Sequence, residues 1–330
     1  MKRIFITGAT GYIGHQLALT AAARGYLVSA LVRNMQSPNL PTHPSIHLVK
    51  GDVQVYETVV KAMTDCEYVL HAAGLAQLWH KDRSLFYRTH VTGTRNVLEA
   101  ARFHGVEKLV FTSSCAVLGP SESRPLAEDD PRFTPFENDY EISKHCAEEL
   151  VKEYVRRGLP AVIVALPRVY GPGLATKGNP VSQFIRKTLR RGFAFVPSAK
   201  NIVGNYVYID DVVNGHFDAL EKGENGEKYI LGGENISYQQ LFETVAKASE
   251  KNLKIIAVPV ALLKLWSALV FSLNYLTGRH THLSPKVVKR LLQNRAVTSE
   301  KAVRQLNYQI TPFAQGIEQT IHHLNNLHHG

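Results

Sequence analysis

Tyr140 and Lys144, in the run Tyr140-Glu141-Ile142-Ser143-Lys144, stand four residues apart, so on a helix their side chains project from one face. A phenol titrates near pH ~10 and is a poor proton carrier at neutral pH, but a neighbouring ammonium favours its phenolate. The pair therefore suits proton transfer to or from an oxygen. Alone the spacing is common and describes an exposed helix pair. Phe111-Thr112-Ser113-Ser114-Cys115-Ala116 adds hydroxyls at the end of an apolar strand candidate, where open α/β sheets hold ligands. A serine placed there can donate to a carbonyl oxygen.

A second constellation opens the chain. Gly8, Gly11 and Gly14, in Thr7-Gly8-Ala9-Thr10-Gly11-Tyr12-Ile13-Gly14, follow a strand candidate and start a helical pattern. That context suits the pyrophosphate of a nicotinamide dinucleotide: the backbone turns sharply, no Cβ blocks the phosphates, and free amides at a helix start point at them. Gly8, Thr10, Gly11, Tyr12, Ile13 and Gly14 are the candidate contacts. Roughly 20 residues further on, where NAD-specific folds carry an acid for the ribose hydroxyls, stands Arg33, in Leu31-Val32-Arg33-Asn34. An arginine suits a 2′-phosphate, so NADP is favoured over NAD; the plainer reading is a solvated strand-end side chain. Asp52, followed by Val53, is placed either to accept from the adenine amino group or to cap the next helix. Ala72, Ala73 and Gly74 end the fourth strand candidate with residues small enough to lie against a ribose.

Glycine turn, serine and Tyr/Lys pair, in this order, resemble the short-chain dehydrogenase/reductase superfamily, extended type, and within it the NAD(P)-dependent epimerase/dehydratase family. Leu166-Pro167-Arg168-Val169-Tyr170-Gly171-Pro172 and Tyr208-Ile209-Asp210-Asp211-Val212 are similar to further landmarks of that family and carry the resemblance over almost the whole chain. More narrowly the chain resembles the dihydroflavonol reductase-like branch; Leu78-Trp79, the run from Tyr87 to Leu98 and that from Tyr229 to Asn235 are similar to hopanoid-associated sugar epimerases. The resemblance implies that Ser114 is the catalytic hydroxyl, with Ser113 as its fallback. It implies Tyr140 as general acid/base and Lys144 as the residue that lowers its pKa and binds the nicotinamide ribose, with Pro167 and Val169 beside the cofactor. His90 departs from the pattern, standing where the family usually has Asn; it either hydrogen-bonds in that place or is a satisfied core histidine.

These residues predict an oxidoreductase that reduces or oxidises a carbonyl or alcohol of a ring-bearing or lipid-like small molecule with NADP. Two other readings stay open: a nucleotide-sugar epimerase that retains NAD, and a non-catalytic NADP-sensing protein. Family dehydratases carry an Asp-Glu pair after the hydroxyl position, where this chain has Cys115-Ala116, so dehydration is disfavoured.

The elements that must position these groups can be read from hydrophobic period. Up to about residue 166, short apolar runs alternate with helical patterns, which predicts α/β architecture: a Rossmann-type doubly wound parallel sheet. The strand candidates are Arg3 to Thr7, Leu27 to Arg33, His47 to Lys50, Tyr68 to Ala72, Lys108 to Ser113 and Ala161 to Leu166. Residues 1–170 are expected to form the dinucleotide-binding domain and 171–330 a smaller, mostly helical substrate lobe, tightly packed and free to interleave. Helical segments are expected at Asp210 to Leu220, Tyr238 to Ser249 and Pro259 to Leu276, the last read as a core or lid helix, with a membrane-surface contact or a wall for a greasy substrate as alternatives. Trp79, Tyr87, Phe184, Phe193, Phe195, Trp266 and Phe271 are candidate aromatic surface for a substrate.

Composition narrows the class. The 330 residues carry 38 Lys and Arg against 28 Asp and Glu, but the basic residues are scattered without interleaved aromatics, which argues against nucleic acid. Three cysteines fit neither a disulfide framework nor a metal site, and the N-terminus enters a strand at once, so a cytoplasmic protein without metal is expected. A homodimer is compatible with the resemblance.

Overall fold

The computed structural model describes residues 1–199, 202–277 and 285–326, with the side chains of 271–277 and 285–287 outside that description, Phe271 among them. Its strands are β1 (Arg3–Thr7), β2 (Leu27–Val32), β3 (Ile46–Lys50), β4 (Tyr68–His71), β5 (Lys108–Ser114), β6 (Ala161–Leu166), β7 (Arg168–Tyr170), β8 (Phe193–Pro197), β9 (Val203–Tyr208), β10 (Lys228–Ile230), β11 (Glu234–Ser237) and β12 (Lys254–Val258). The helices are α1 (Tyr12–Ala23), α2 (Tyr56–Met63), α3 (Ser84–Tyr87), α4 (Gly93–His104), α5 (Asp139–Arg156), α6 (Pro180–Arg191), α7 (Ile209–Lys222), α8 (Tyr238–Ser249), α9 (Val260–Thr277), α10 (Pro285–Leu291), α11 (Glu300–Leu306) and α12 (Phe313–Asn326).

The apolar runs of the first half pair side by side in one parallel sheet, in the order β3-β2-β1-β4-β5-β6-β10. Helices α2, α4 and α5 cover one face, and α1 and α7 the other. Every residue of β6 is buried, which is why these strands read as continuous apolar runs rather than alternating ones. Strand order reverses at β1, so connections leave β1 and β4 in opposite directions and open a crevice at their C-terminal ends.

Two expectations change. Six strands were anticipated; a seventh, β10, comes from beyond residue 170 and completes the sheet beside β6. Its Lys-Tyr-Ile is too short to stand out from period alone. The rest of that half forms β7, β9 and β11 in one small sheet and β8 with β12 in another, with α6 and α8 to α12 around them. Helix α9 is no core helix: it leaves Leu262, Leu265, Trp266 and Leu269 exposed.

Helix starts are set locally. Asn138 accepts from the Glu141 amide and opens α5; Asn179 and Pro180 open α6. Between α3 and α4 the helix widens into a π turn at Arg88–Thr92, carrying His90 inward.

Candidate active site

The glycine turn lies where β1 delivers the chain into α1. Gly8 has φ +77°, and a Cβ there would stand 2.7 Å from the Ala72 carbonyl oxygen; one on Gly14 would stand 2.2 Å from that of Gly8. Only glycine permits this approach of β1, β4 and α1. Helix α1 starts at Tyr12 with Gly11 as its N-cap, no side chain capping it and no acid in its first turn, so the Tyr12 and Ile13 amides are left without side-chain partners. The Tyr12 ring is buried in the core, so that residue offers its backbone alone, while Thr10 is half-buried at the turn. A cradle that any Cβ would fill, leading to uncapped amides, fits a dinucleotide diphosphate.

A chain of hydroxyls and imidazole fixes the far wall of the cradle. Thr7 Oγ1 accepts from the Ala73 amide at 3.0 Å and lies 2.7 Å from His71 Nδ1, whose Nε2 is 3.0 Å from Thr94 Oγ1. Burial, then the Lys144 charge, lowers the His71 pKa to about 3, so the ring is neutral. Ala72, Ala73 and the exposed Gly74 are thereby held at the crevice. Arg33 follows β2, exposed and in no ion pair among the described residues. Asp52 does not cap α2, whose N-cap is Val55. Its carboxylate instead accepts from the Gln54 amide at 3.0 Å in a local turn, with Val53 buried against α4.

Ser114 ends β5, where its hydroxyl accepts from the Ala116 amide at 3.2 Å; it also stands near enough to the Tyr140 phenol to draw the phenol's pKa down, while burial, the larger cause, raises it above the usual value. Both residues are half-buried. One helical turn on, Lys144 Nζ donates to the Thr112 carbonyl at 2.8 Å and lies 4.9 Å from the Phe111 ring centre. Burial lowers its pKa to about 8 against the opposing pull of Glu148. A Cβ on Gly74 would lie 3.5 Å from Lys144 Nζ, which puts the ammonium at the crevice where β4 ends. Ser113 is engaged elsewhere: buried, it donates to Glu148, whose other oxygen accepts from Lys228 Nζ of β10 at 2.9 Å. Pro167 and Val169 flank Arg168 past the end of β6, Val169 buried.

His90 resolves into a structural clamp. Its Nε2 accepts from the Leu75 amide at 2.9 Å and its Nδ1 lies 2.8 Å from Ser143 Oγ, which in turn donates to the Tyr140 carbonyl at 3.2 Å. An amide donor at Nε2 leaves the proton on Nδ1. Burial, then Lys144, pushes its pKa far down, so it is neutral.

Several residues around the pair carried no sequence signal. Arg132 donates to the Ala116 and Val117 carbonyls at 2.9 and 3.0 Å and to Glu141 at 2.8 Å, joining the turn after Ser114 to the helix of Tyr140. Glu141, wholly buried, also binds Arg290, and Arg83 grips Asp139 through two bonds of 2.7 and 3.0 Å. These partners lie far apart in the chain, and spacing cannot reveal them. Of the aromatic candidates, Tyr87 reaches the α5 start through Asp139 at 3.2 Å, whereas Phe184 packs on Phe242, and Phe193 on Phe195, away from the crevice.

The model of the NAD dependent epimerase/dehydratase family matches residues 4–232. The chain is 31% identical to a putative dihydroflavonol 4-reductase of Synechocystis sp. over 98% of its own length and 94% of the relative's. It is 29% identical to sterol demethylase protein B of Methylococcus capsulatus over 78% of each. Among solved structures, the crystal structure of gox2253 superposes with TM-score 0.83 at 28% identity, covering 99% of this chain and 98% of that one. A UDP-glucose 4-epimerase of Thermotoga maritima gives TM-score 0.80 over 98% and 99% of the two chains, and at 20% identity it shares the fold alone.

Proposed function

The chain belongs to the NAD dependent epimerase/dehydratase family and is an NAD(P)-dependent oxidoreductase of small molecules, and from that premise we propose that it interconverts a carbonyl and an alcohol on a ring-bearing or lipid-like substrate, with NADP as its cofactor. The observation that carries this reading is the juxtaposition of Ser114, at the C-terminal end of β5, with Tyr140 and Lys144 on one face of α5, where Lys144 Nζ donates to the Thr112 carbonyl of β5. Two neighbouring hydroxyls can hold one substrate oxygen.

When bound, the nicotinamide supplies or takes up the hydride. The chain's own side chains handle the oxygen. Ser114 donates to it and fixes its direction, and Tyr140 gives up its proton in reduction or receives one in oxidation. Burial keeps the phenol protonated at neutral pH, the form that reduction needs. Oxidation needs the phenolate, which a charged Lys144 one turn away favours. Gly8, Gly11 and the Tyr12, Ile13 and Gly14 amides hold the diphosphate, Arg33 the 2′-phosphate, and Asp52 the adenine edge.

Arg33 is also what sets this reading apart from an epimerase that retains NAD. The test is NADPH oxidation across aromatic and isoprenoid ketones. Tyr140→Phe is expected to lose roughly 10² to 10⁴ in turnover while binding NADPH as before. Full turnover by Tyr140→Phe overturns the acid/base role. A tightly retained NAD in the purified protein, with inversion of a nucleotide sugar, overturns the reductase in favour of the epimerase. NADPH binding without turnover of any ketone supports the sensing protein.

A further inference from the structure

Helix α9 displays an apolar stripe that is exposed among the described residues. Leu262, Leu265, Trp266 and Leu269, spaced as i, i+3, i+4 and i+7, are 55%, 57%, 61% and 51% exposed. The helix rests on the protein through Leu263, Ser267 and Val270 instead. Ala261 and Ala268, both exposed, separate the stripe from Lys264 at the edge of the exposed arc. The strand that leads into α9 continues the pattern: Ile256 of β12 is the cross-strand partner of Phe195 of β8, and both are exposed, while Lys254 pairs with Phe193 beside them.

Charge distinguishes what this surface meets. Between Lys251 and Ser299 the chain has eight of its 38 Lys and Arg and none of its 28 Asp and Glu. The excess positive charge of the whole protein is thus concentrated in the segment that carries the stripe. Arg290 and Arg295 turn inward to Glu137 and Glu141. Lys251, Lys254 and Lys264 are exposed and in no ion pair among the described residues. A second copy of this chain would bring the same cations against themselves, whereas an anionic bilayer neutralises them.

We propose that α9 and the β8–β12 face form a membrane-surface dock, on which the protein lies against a bilayer containing anionic lipid. Among the described residues no helix is long and apolar enough to cross a membrane. The helix lies in the interface plane instead, with Leu and Trp at the acyl boundary and Lys264 reaching the headgroups. Docking does not depend on the reaction assigned above.

The chain has two tryptophans, Trp79 and Trp266, so Trp79→Phe leaves Trp266 as its sole indole probe. In that background the emission of the full chain is expected to shift to shorter wavelength with vesicles of phosphatidylcholine plus phosphatidylglycerol, and to stay unshifted with phosphatidylcholine alone. Binding, read by cosedimentation, is expected to weaken as salt rises. Leu265→Ser with Leu269→Ser is expected to lower the partition constant roughly tenfold or more at unchanged Tm, because the stripe supports nothing inside the fold. Lys251→Glu with Lys254→Glu and Lys264→Glu should lower it comparably by charge alone. Failure to bind anionic vesicles overturns the proposal, as does binding that both variants leave intact. Concentration-dependent dimers that Leu265→Ser with Leu269→Ser abolishes, without vesicle binding, overturn it in favour of a second copy.

Discussion

His90 Nδ1 lies 2.8 Å from Ser143 Oγ while its Nε2 accepts from the Leu75 amide, so the ring ties the loop leaving β4 to the helix that carries Tyr140 and Lys144. The ring uses both nitrogens on fixed partners and is neutral, so it orients the helix of Tyr140 and relays no proton. His90→Ala leaves the Leu75 amide without its acceptor and is expected to cost about 1–3 kcal/mol of stability and to lower kcat. His90→Asn, which can accept and donate through one amide, is expected to restore most of both. The discriminating measurement is the pH profile of kcat/KM, which should be the same for the wild type and His90→Asn. Loss of an acid limb in His90→Asn would show that the ring does move a proton.

The two adjacent serines are separable. Ser113 is buried and spent on Glu148, whereas Ser114 meets Tyr140. Ser114→Ala is expected to lower kcat roughly 10²-fold or more, by removing one donor to the reacting oxygen, and to cost at most about 0.5–2 kcal/mol of stability, because its hydroxyl also accepts from the Ala116 amide. Ser113→Ala is expected to leave kcat within a few-fold and to lower stability by about 1–3 kcal/mol, since Glu148 loses one of its two buried partners. Kinetics and urea melts on the two variants check both halves, and a reversed pattern would move the catalytic hydroxyl to Ser113.

What could be read from sequence were features whose cause is local. The apolar runs of β1, β4, β5 and β6 follow from burial on both faces, and the Gly8 to Gly14 turn from the close approach of backbone at Ala72 and Gly8. Tyr140 and Lys144 share a face because four residues make about one turn. What escaped depends on distant partners. Strand β10 has three residues and gains its place only by pairing with β6. Thr7, His71 and Thr94 form one chain from three separate elements, and Arg132 reaches both the turn after Ser114 and Glu141. For helix α9 the period leaves core, lid, membrane contact and substrate wall open, because it reports that a face is apolar and not what lies against it; the exposure of Leu262, Leu265, Trp266 and Leu269 removes the core.

In the function proposed above, the preference for NADP rests on Arg33. It stands free at the end of β2, and no acid among the described residues competes for its guanidinium. One charge-assisted contact to a 2′-phosphate is worth about 1.5–3 kcal/mol, or roughly 10- to 150-fold in affinity. Arg33→Ala is expected to weaken NADPH by that range with little change for NADH, and Arg33→Asp to reverse the preference. Dissociation constants from quenching of protein fluorescence give the ratio directly. An unchanged ratio in both variants would remove Arg33 from the cofactor site.

Acid sensitivity should come first from three buried histidines. Burial is the leading cause in each, and it lowers His71 to about 3, His90 to about 2 and His216 to about 4. Lys144 adds to the first two, while in His216 the Val212 carbonyl pulls the other way. An unfolded histidine takes its proton near pH ~6.5. Below that value the unfolded chain binds protons that these folded rings refuse, so stability is full above pH ~6.5 and falls as pH drops towards the folded values. Each ring contributes about 1.4 kcal/mol per pH unit, so moving from pH ~7.5 to ~5.5 is expected to cost about 4 kcal/mol in all. Carboxylates enter only further down, because Asp139 and Glu141, both held below their usual range, have unfolded counterparts that protonate near pH ~4. Urea unfolding at the two pH values measures the loss. His216→Gln, whose amide can meet Thr112 Oγ1, should remove about a third of it, since that ring is 2.9 Å from Thr112 and independent of the other two. Stability that stays flat between those pH values would mean that the folded rings are charged, and the hydrogen-bond assignments of His71, His90 and His216 would have to be reversed.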